Sequence, residues 1–107
     1  MLPLTTVRVI GPSMEPSLHN GEWWIVRRGT RMKAGDIVVF IHPDRPGLSL
    51  VKRAVRRASG GWWVEGDAPQ ASDDSRAFGP VADHLLVGRL LWRYRPLPLK
   101  RVPRHDG

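Results

Sequence analysis

The chain has 107 residues, with 17 Lys and Arg against 10 Asp and Glu, for a formal net charge of +7. That length holds one ordinary domain, and with 41% hydrophobic and 25% charged residues it can bury a core of its own, which excludes wholesale disorder and a multidomain machine. Cysteine is absent, which rules out disulfides, thiol nucleophiles and thiolate metal sites; nothing in the composition requires an oxidising compartment, so the cytoplasm is the expected location.

The positive charge is not spread evenly. Residues 85–107 carry six basic side chains against one acidic, a net of +5, whereas residues 1–84 carry eleven against nine, a net of +2. No apolar run approaches the ~20 residues of a membrane span, and the opening MLPLTTVRVI lacks a charged region followed by a long apolar stretch. Neither a signal peptide nor an anchor is expected, although peripheral contact with a membrane is compatible with the basic surface.

Period-2 patterning with β-branched and aromatic residues dominates, so the chain reads as mostly β. Thr5–Ile10 alternates and stops at Gly11-Pro12; Glu22–Arg28 follows the turn signal Asn20-Gly21. Asp36–His42 is a nearly continuous apolar run between Gly35 and Pro43, as expected of a central strand covered on both faces. Leu48–Arg57 is a fourth strand, joined by Ser59-Gly60-Gly61 to Trp62–Glu65, and Leu85–Tyr94 is the last, after a short helical turn around Val81–His84. In Trp23-Trp24 and Trp62-Trp63 alternation sends one ring of each pair into the core and leaves its neighbour outward. From Pro96 the sequence PLPLKRVPRHDG has no periodicity, which predicts a folded domain over 1–95 and an extended or disordered tail over 96–107. Short strands with irregular connections suggest a small twisted β-barrel or packed antiparallel sheets.

Three separated segments carry chemistry. Gly11-Pro12-Ser13-Met14-Glu15-Pro16-Ser17-Leu18 brackets a serine between two prolines, which stiffens the backbone presenting its hydroxyl, though such a serine alone is an ordinary turn residue. In Leu48–Ala54, Lys52 shares a strand face with Leu50 and Ala54 while Arg53 points the other way, so the Lys52 ammonium stands on an apolar strip; an edge lysine reaching water is the plainer alternative. Desolvation matters because a lysine with a pKa of ~10.4 is neutral in only about 1 in 2,500 molecules at pH 7, and a general base has to be neutral. Lowering that value by ~3 units costs roughly 4 kcal/mol, which only an arranged environment supplies. The third segment, Gly66–Gly79, has the polar residues of an ordered loop in which Asp74 and Arg76 can form a charge-assisted brace.

In this order and spacing the segments resemble the S26 serine peptidases, the signal peptidase I family, whose chemistry is a Ser-Lys dyad. The pattern Ser-Met-x-Pro-Thr/Ser-Leu matches Ser13–Leu18, Gly-Asp-Ile/Val-Val matches Gly35–Val38, Val-Lys-Arg matches Val51–Arg53, and Gly-Asp followed by Ser-x-Asp-Ser-Arg and a Gly matches Gly66-Asp67, Ser72–Arg76 and Gly79. The resemblance covers residues 9 to about 95. It implies that Ser13 attacks the scissile carbonyl and neutral Lys52 takes its proton, that Ser72 orients the lysine amine, that the Ser13 backbone N–H is an oxyanion donor, and that Asp74 and Arg76 brace the site. It implies no metal and no cofactor, and His19, His42, His84 and His105 lack close ligand spacing, reading as surface or turn residues. Two positions depart from the pattern: Gly11 stands where many relatives have a serine completing the oxyanion hole, and Ala68 where an Asn follows Gly-Asp.

Typical signal peptidases have an N-terminal anchor and a second β-domain between the lysine and the last motif, whereas the span from Lys52 to Gly66 holds only a hairpin. Among short anchorless members the chain looks most like the nickel-type superoxide dismutase maturation proteases, through Gly60–Val64, Asp74–Gly79 and Leu90–Pro96. That resemblance implies an N-terminal propeptide of a superoxide dismutase precursor as substrate, bound extended beside the Ser13 or the Lys52 segment. The alternatives are general signal-peptidase-like processing and, from another class, a basic β-barrel that binds single-stranded nucleic acid through tryptophans and its arginine-rich end. Four motifs in register disfavour the nucleic-acid reading.

Overall fold

Apolar alternation along short β-branched runs produces the architecture. In the computed structural model, which describes residues 3–103, eight antiparallel strands form one sheet: β1 (Leu4–Arg8), β2 (Trp23–Arg28), β3 (Ile37–His42), β4 (Arg45–Ala58), β5 (Gly61–Glu65), β6 (Val81–Ala82), β7 (Leu86–Arg95) and β8 (Lys100–Arg101). A single helical turn, α1 (Ser75–Phe78), precedes β6, and 3-10 turns lie at Pro69–Ala71 and Asp83–Leu85. The strand order is β1-β2-β7-β3-β4-β5-β6, with β8 added to β7. The mostly-β, antiparallel expectation holds; the strands lie in one twisted sheet that does not close into a barrel.

β3 explains its own apolar run. It lies between β7 and β4, and its residues alternate between two cores: Ile37 and Val39 join Val9, Met14, Leu18, Trp24, Val26 and Leu90, while Val38 and Phe40 join Ala54, Trp62, Val64, Val81 and Leu86. A strand with both faces covered has no polar face to present. Trp24 and Trp62 are the inward members of their pairs. Trp23 and Trp63 are half-buried, with the Arg8 and Arg56 guanidiniums 5.9 and 4.7 Å from their ring centres.

The start of β4 and the C-terminal segment differ from the expectation, while the hairpin between β4 and β5 forms at the expected turn. β4 begins at Arg45, three residues earlier than predicted, because Pro43-Asp44 makes the turn and Pro46 and Gly47 are absorbed in a bulge between the His42–Arg45 and Ile41–Ser49 pairings. The β4–β5 hairpin closes over Ser59 (φ 45°) and Gly60 (φ 78°), the two positive-φ positions of a type I′ turn. Residues 96–103 of the expected extended or disordered tail return along the sheet: Lys100 and Arg101 pair with Arg93 and Trp92, the Val102 N–H donates to the Leu91 carbonyl, and Val102 packs against the first core. Residues 104–107, with His105, lie outside the described residues. No helix among the described residues is long and apolar enough to cross a membrane.

Candidate active site

The loop from β1 to β2 presents Ser13 because its own apolar residues pin it. Met14 and Leu18, four residues apart, are 1% and 0% exposed in the first core, and burying a side chain of this size is worth about 1.5–3 kcal/mol. The Glu15 N–H donates to the Pro12 carbonyl (3.0 Å), so Ser13 sits second in a tight turn, and the Gly11 N–H donates to Asn20 Oδ1 (2.8 Å). Gly11 has φ of +86°, a conformation that disfavours a serine at this position, so the departure from the family pattern has a backbone cause. Among the described residues no acceptor of the chain takes the Ser13 N–H.

Lys52 comes from β4, opposite Val38, and as strand alternation predicts it turns to the same side as Leu50 and Ala54. Only 4% of its surface is exposed, and its Nζ lies 2.7 Å from Ser13 Oγ. Burial lowers its pKa from the ordinary 10.5; the nearby Asp74 and Asp73 carboxylates oppose that shift, Arg76 adds to it, and burial prevails. The 2.7 Å contact serves both protonation states: the ammonium donates to Oγ, and the neutral amine accepts the hydroxyl proton.

The last motif packs directly onto this pair. The Ala68 N–H donates to the Ser13 carbonyl (2.9 Å), and Gly66 lies so close that a Cβ there would be 2.6 Å from the Ser13 carbonyl oxygen and 2.3 Å from Ser72 Oγ. Gly66→Ala is therefore expected to displace the Ser13 turn and lower kcat/KM at least about tenfold, as small misplacements of reacting groups do, with a loss of melting temperature read in the same preparation.

Ser72 differs from its expected role. Its hydroxyl donates to Asp74 Oδ2 and accepts from the Gly66 N–H (3.1 Å), and it makes no hydrogen bond to Lys52. Asp74 draws it away: that carboxylate is fully buried at the start of α1 and collects the Ser72 hydroxyl, the amides of Gly66 (2.8 Å) and Arg76 (3.1 Å), and the Arg76 guanidinium. Burial alone would raise the Asp74 pKa; the Arg76, Ser72 and backbone hydrogen bonds outweigh it and hold the carboxyl well below the usual range. Asp74 and Arg76 thus form a brace that ties the loop to Gly66.

A second network was missed. Arg53 and Asp67, 4% and 5% exposed in their side chains, pair at 2.7 Å, and Ser17 of the Ser13 loop donates to the same Asp67 oxygen at 2.6 Å. Arg53 also donates to the carbonyls of Gly35 (2.9 Å) and Pro103 (3.2 Å), so one guanidinium joins all four motif segments and the stretch that follows β8. The signal was present in the sequence: Arg53 stands between Val51 and Val55 on its face, as apolar a setting as the Leu50–Ala54 strip of Lys52. His42 is likewise not a surface residue; it is 6% exposed, accepts from the Asp44 N–H at Nδ1 (3.0 Å) and faces Asp73 with Nε2 (3.1 Å). Among the described residues no group of three or more His, Asp or Glu side chains converges as a metal site.

Ser13 and Lys52 line a cleft of about 70 Å³ between Val7–Ile10, which runs from the end of β1 into the following loop, and Ser49–Lys52 of β4. Among the described residues β1 pairs only with β2 and the Ser49–Lys52 stretch only with β3, so within them each has an unpaired edge. Such edges accept an extended peptide by main-chain hydrogen bonding.

The family described as signal peptidase, peptidase S26, matches residues 1–57, a span that includes both Ser13 and Lys52. The chain is 33% identical over 121 aligned residues to mitochondrial inner membrane protease subunit 1 of Xenopus tropicalis, covering 87% of this chain and 72% of that protein. It is 34% identical to mitochondrial ATP-independent inner membrane protease subunit 1b of Arabidopsis thaliana, with 80% and 67% covered, and 35% identical to mitochondrial inner membrane protease subunit 2 of Danio rerio, with 79% and 62% covered. With over half the chain matched and relatives aligned across most of its sheet, the protein belongs to the S26 signal peptidase family of peptidases.

Proposed function

We propose that this chain is a serine endopeptidase in which Lys52 activates Ser13 to cleave an extended segment of a precursor protein. The observation that carries the reading is the 2.7 Å approach of a buried lysine amine to a serine hydroxyl inside a cleft with open strand edges. Neutral Lys52 accepts the hydroxyl proton as Ser13 Oγ bonds to the scissile carbonyl carbon, and the carbonyl electron pair moves to oxygen, where the Ser13 N–H can receive it. The ammonium then returns the proton to the departing amine nitrogen as the C–N bond breaks. Water, deprotonated by the same amine, releases the acyl group and restores the serine. A positioned general base contributes about 100- to 10,000-fold and an oxyanion donor about 100- to 1,000-fold.

The curated relatives are named as inner membrane proteases, which favours general signal-peptidase-like processing as the substrate class. The narrower reading, maturation of a nickel-type superoxide dismutase precursor, rests on the Gly60–Val64, Asp74–Gly79 and Leu90–Pro96 segments alone. Incubating wild type and Ser13→Ala with a superoxide dismutase precursor and with an unrelated signal-bearing precursor separates the two, the products being read by mass spectrometry. Wild type is expected to cut and Ser13→Ala to lose more than about a thousand-fold in rate. Equal cutting by both proteins rejects the serine mechanism. The wild-type rate is expected to rise with pH through an apparent pKa below 10.5, because the working base is the deprotonated amine. A rise that begins only near 10.5 contradicts a desolvated Lys52.

A further inference from the structure

Away from the cleft, the sheet carries a cavity of about 430 Å³ walled by Arg27, Arg28, Arg31, Lys33, Asp36 and Arg89. It shares no lining residue with the Ser13 cleft. The strand registers show the separation: Arg27, Arg89, Val38 and Lys52 form one row across β2, β7, β3 and β4, with Val38 fully buried between the cavity and the lysine.

Five cations surround this space with one carboxylate, and that carboxylate is turned to the backbone, Asp36 Oδ2 accepting the Lys33 N–H at 2.9 Å. Where guanidiniums brace the fold, a carboxylate meets them, as at Arg53–Asp67 and Arg76–Asp74. Around this cavity no ion pair forms among the described residues, although the cations come from three parts of the chain, the end of β2, the loop after it and β7. Four planar guanidiniums offer paired N–H donors suited to phosphate oxygens, and Lys33 adds a point charge. The net excess of four positive charges exceeds what a single phosphate dianion neutralises.

We infer that this cavity binds a ligand bearing two or more phosphate groups. The chemistry is shared by free oligophosphates and by clustered phosphate head groups of anionic lipids, and two arms separate them: titration with inorganic tripolyphosphate by calorimetry, and flotation with phosphatidylglycerol-containing vesicles, both at about 150 mM salt. The variants are Arg27→Gln/Arg89→Gln in the cavity and Arg95→Gln/Lys100→Gln at the opposite end of β7, which change the net charge equally. Tripolyphosphate binding that weakens tenfold or more in the cavity variant alone supports the inference with a free oligophosphate. Vesicle binding with the same ordering and no tripolyphosphate binding supports it with lipid phosphates. Equal weakening in both variants, or binding to neither probe, overturns it. The melting temperature of the cavity variant, expected within a few degrees of wild type, reports that the fold is intact and leaves the binding result independent of the peptidase reading.

Discussion

Lys52→Met is expected to abolish cleavage and at the same time make the protein harder to unfold. The methionine keeps most of the side-chain volume in a site that excludes water, and it removes the group whose charged form the site disfavours. The sign follows from proton counting. A lysine whose pKa is lowered on folding binds fewer protons in the folded than in the unfolded state between the lowered value and 10.5, so stability climbs with pH across that window. Below the window the wild type carries the whole penalty; the methionine variant carries none. At neutral pH the variant should melt a few degrees above wild type while kcat/KM falls by more than about a thousand-fold. A variant that is inactive and also less stable would show that Lys52 is a structural hydrogen-bond donor to Ser13 and nothing more.

Removing one member of the Arg53–Asp67 pair is expected to be the most damaging change outside the dyad. Both side chains are nearly inaccessible, and either single replacement, Arg53→Met or Asp67→Asn, leaves the opposite charge buried without its main partner, at a cost of about 3–5 kcal/mol. Against the 5–15 kcal/mol that holds a typical domain together, roughly a fifth or more of the stability is at stake. Denaturant titration measures it, and the double variant Arg53→Met/Asp67→Asn should recover part of the loss because no unpaired ion remains. Single variants costing under about 1 kcal/mol would show that solvent reaches the pair.

Much of this was legible in the sequence for identifiable physical reasons. The continuous apolar run of β3 reported a strand covered on both faces, and the parity of Leu50, Lys52 and Ala54 put the lysine on an apolar strip, because strand alternation is rigid. The Ser72 bond to Asp74 is not legible in the sequence because a hydroxyl's choice among acceptors is decided in three dimensions: a fully buried carboxylate two residues away is a stronger acceptor than a lysine amine. The return of residues 96–103 was hidden because a two-residue strand with exposed side chains has no apolar alternation, and its place is held by main-chain bonds to β7, by Val102, and by the Arg53 and Arg93 guanidiniums on the carbonyls of Pro103 and Pro98. Arg53 was passed over because charge suggests solvent, while its neighbours on the same face, Val51 and Val55, argue for burial.

The carbonyl of Pro103 supplies one of the acceptors that Arg53 needs inside the protein. Trimming the chain at residue 95, where periodicity fades, would therefore strip a clasp from the guanidinium next in sequence to Lys52 and admit water to it. The C-terminal segment is thus coupled to the strand that carries Lys52 through that clasp, although none of its described residues lines the cleft.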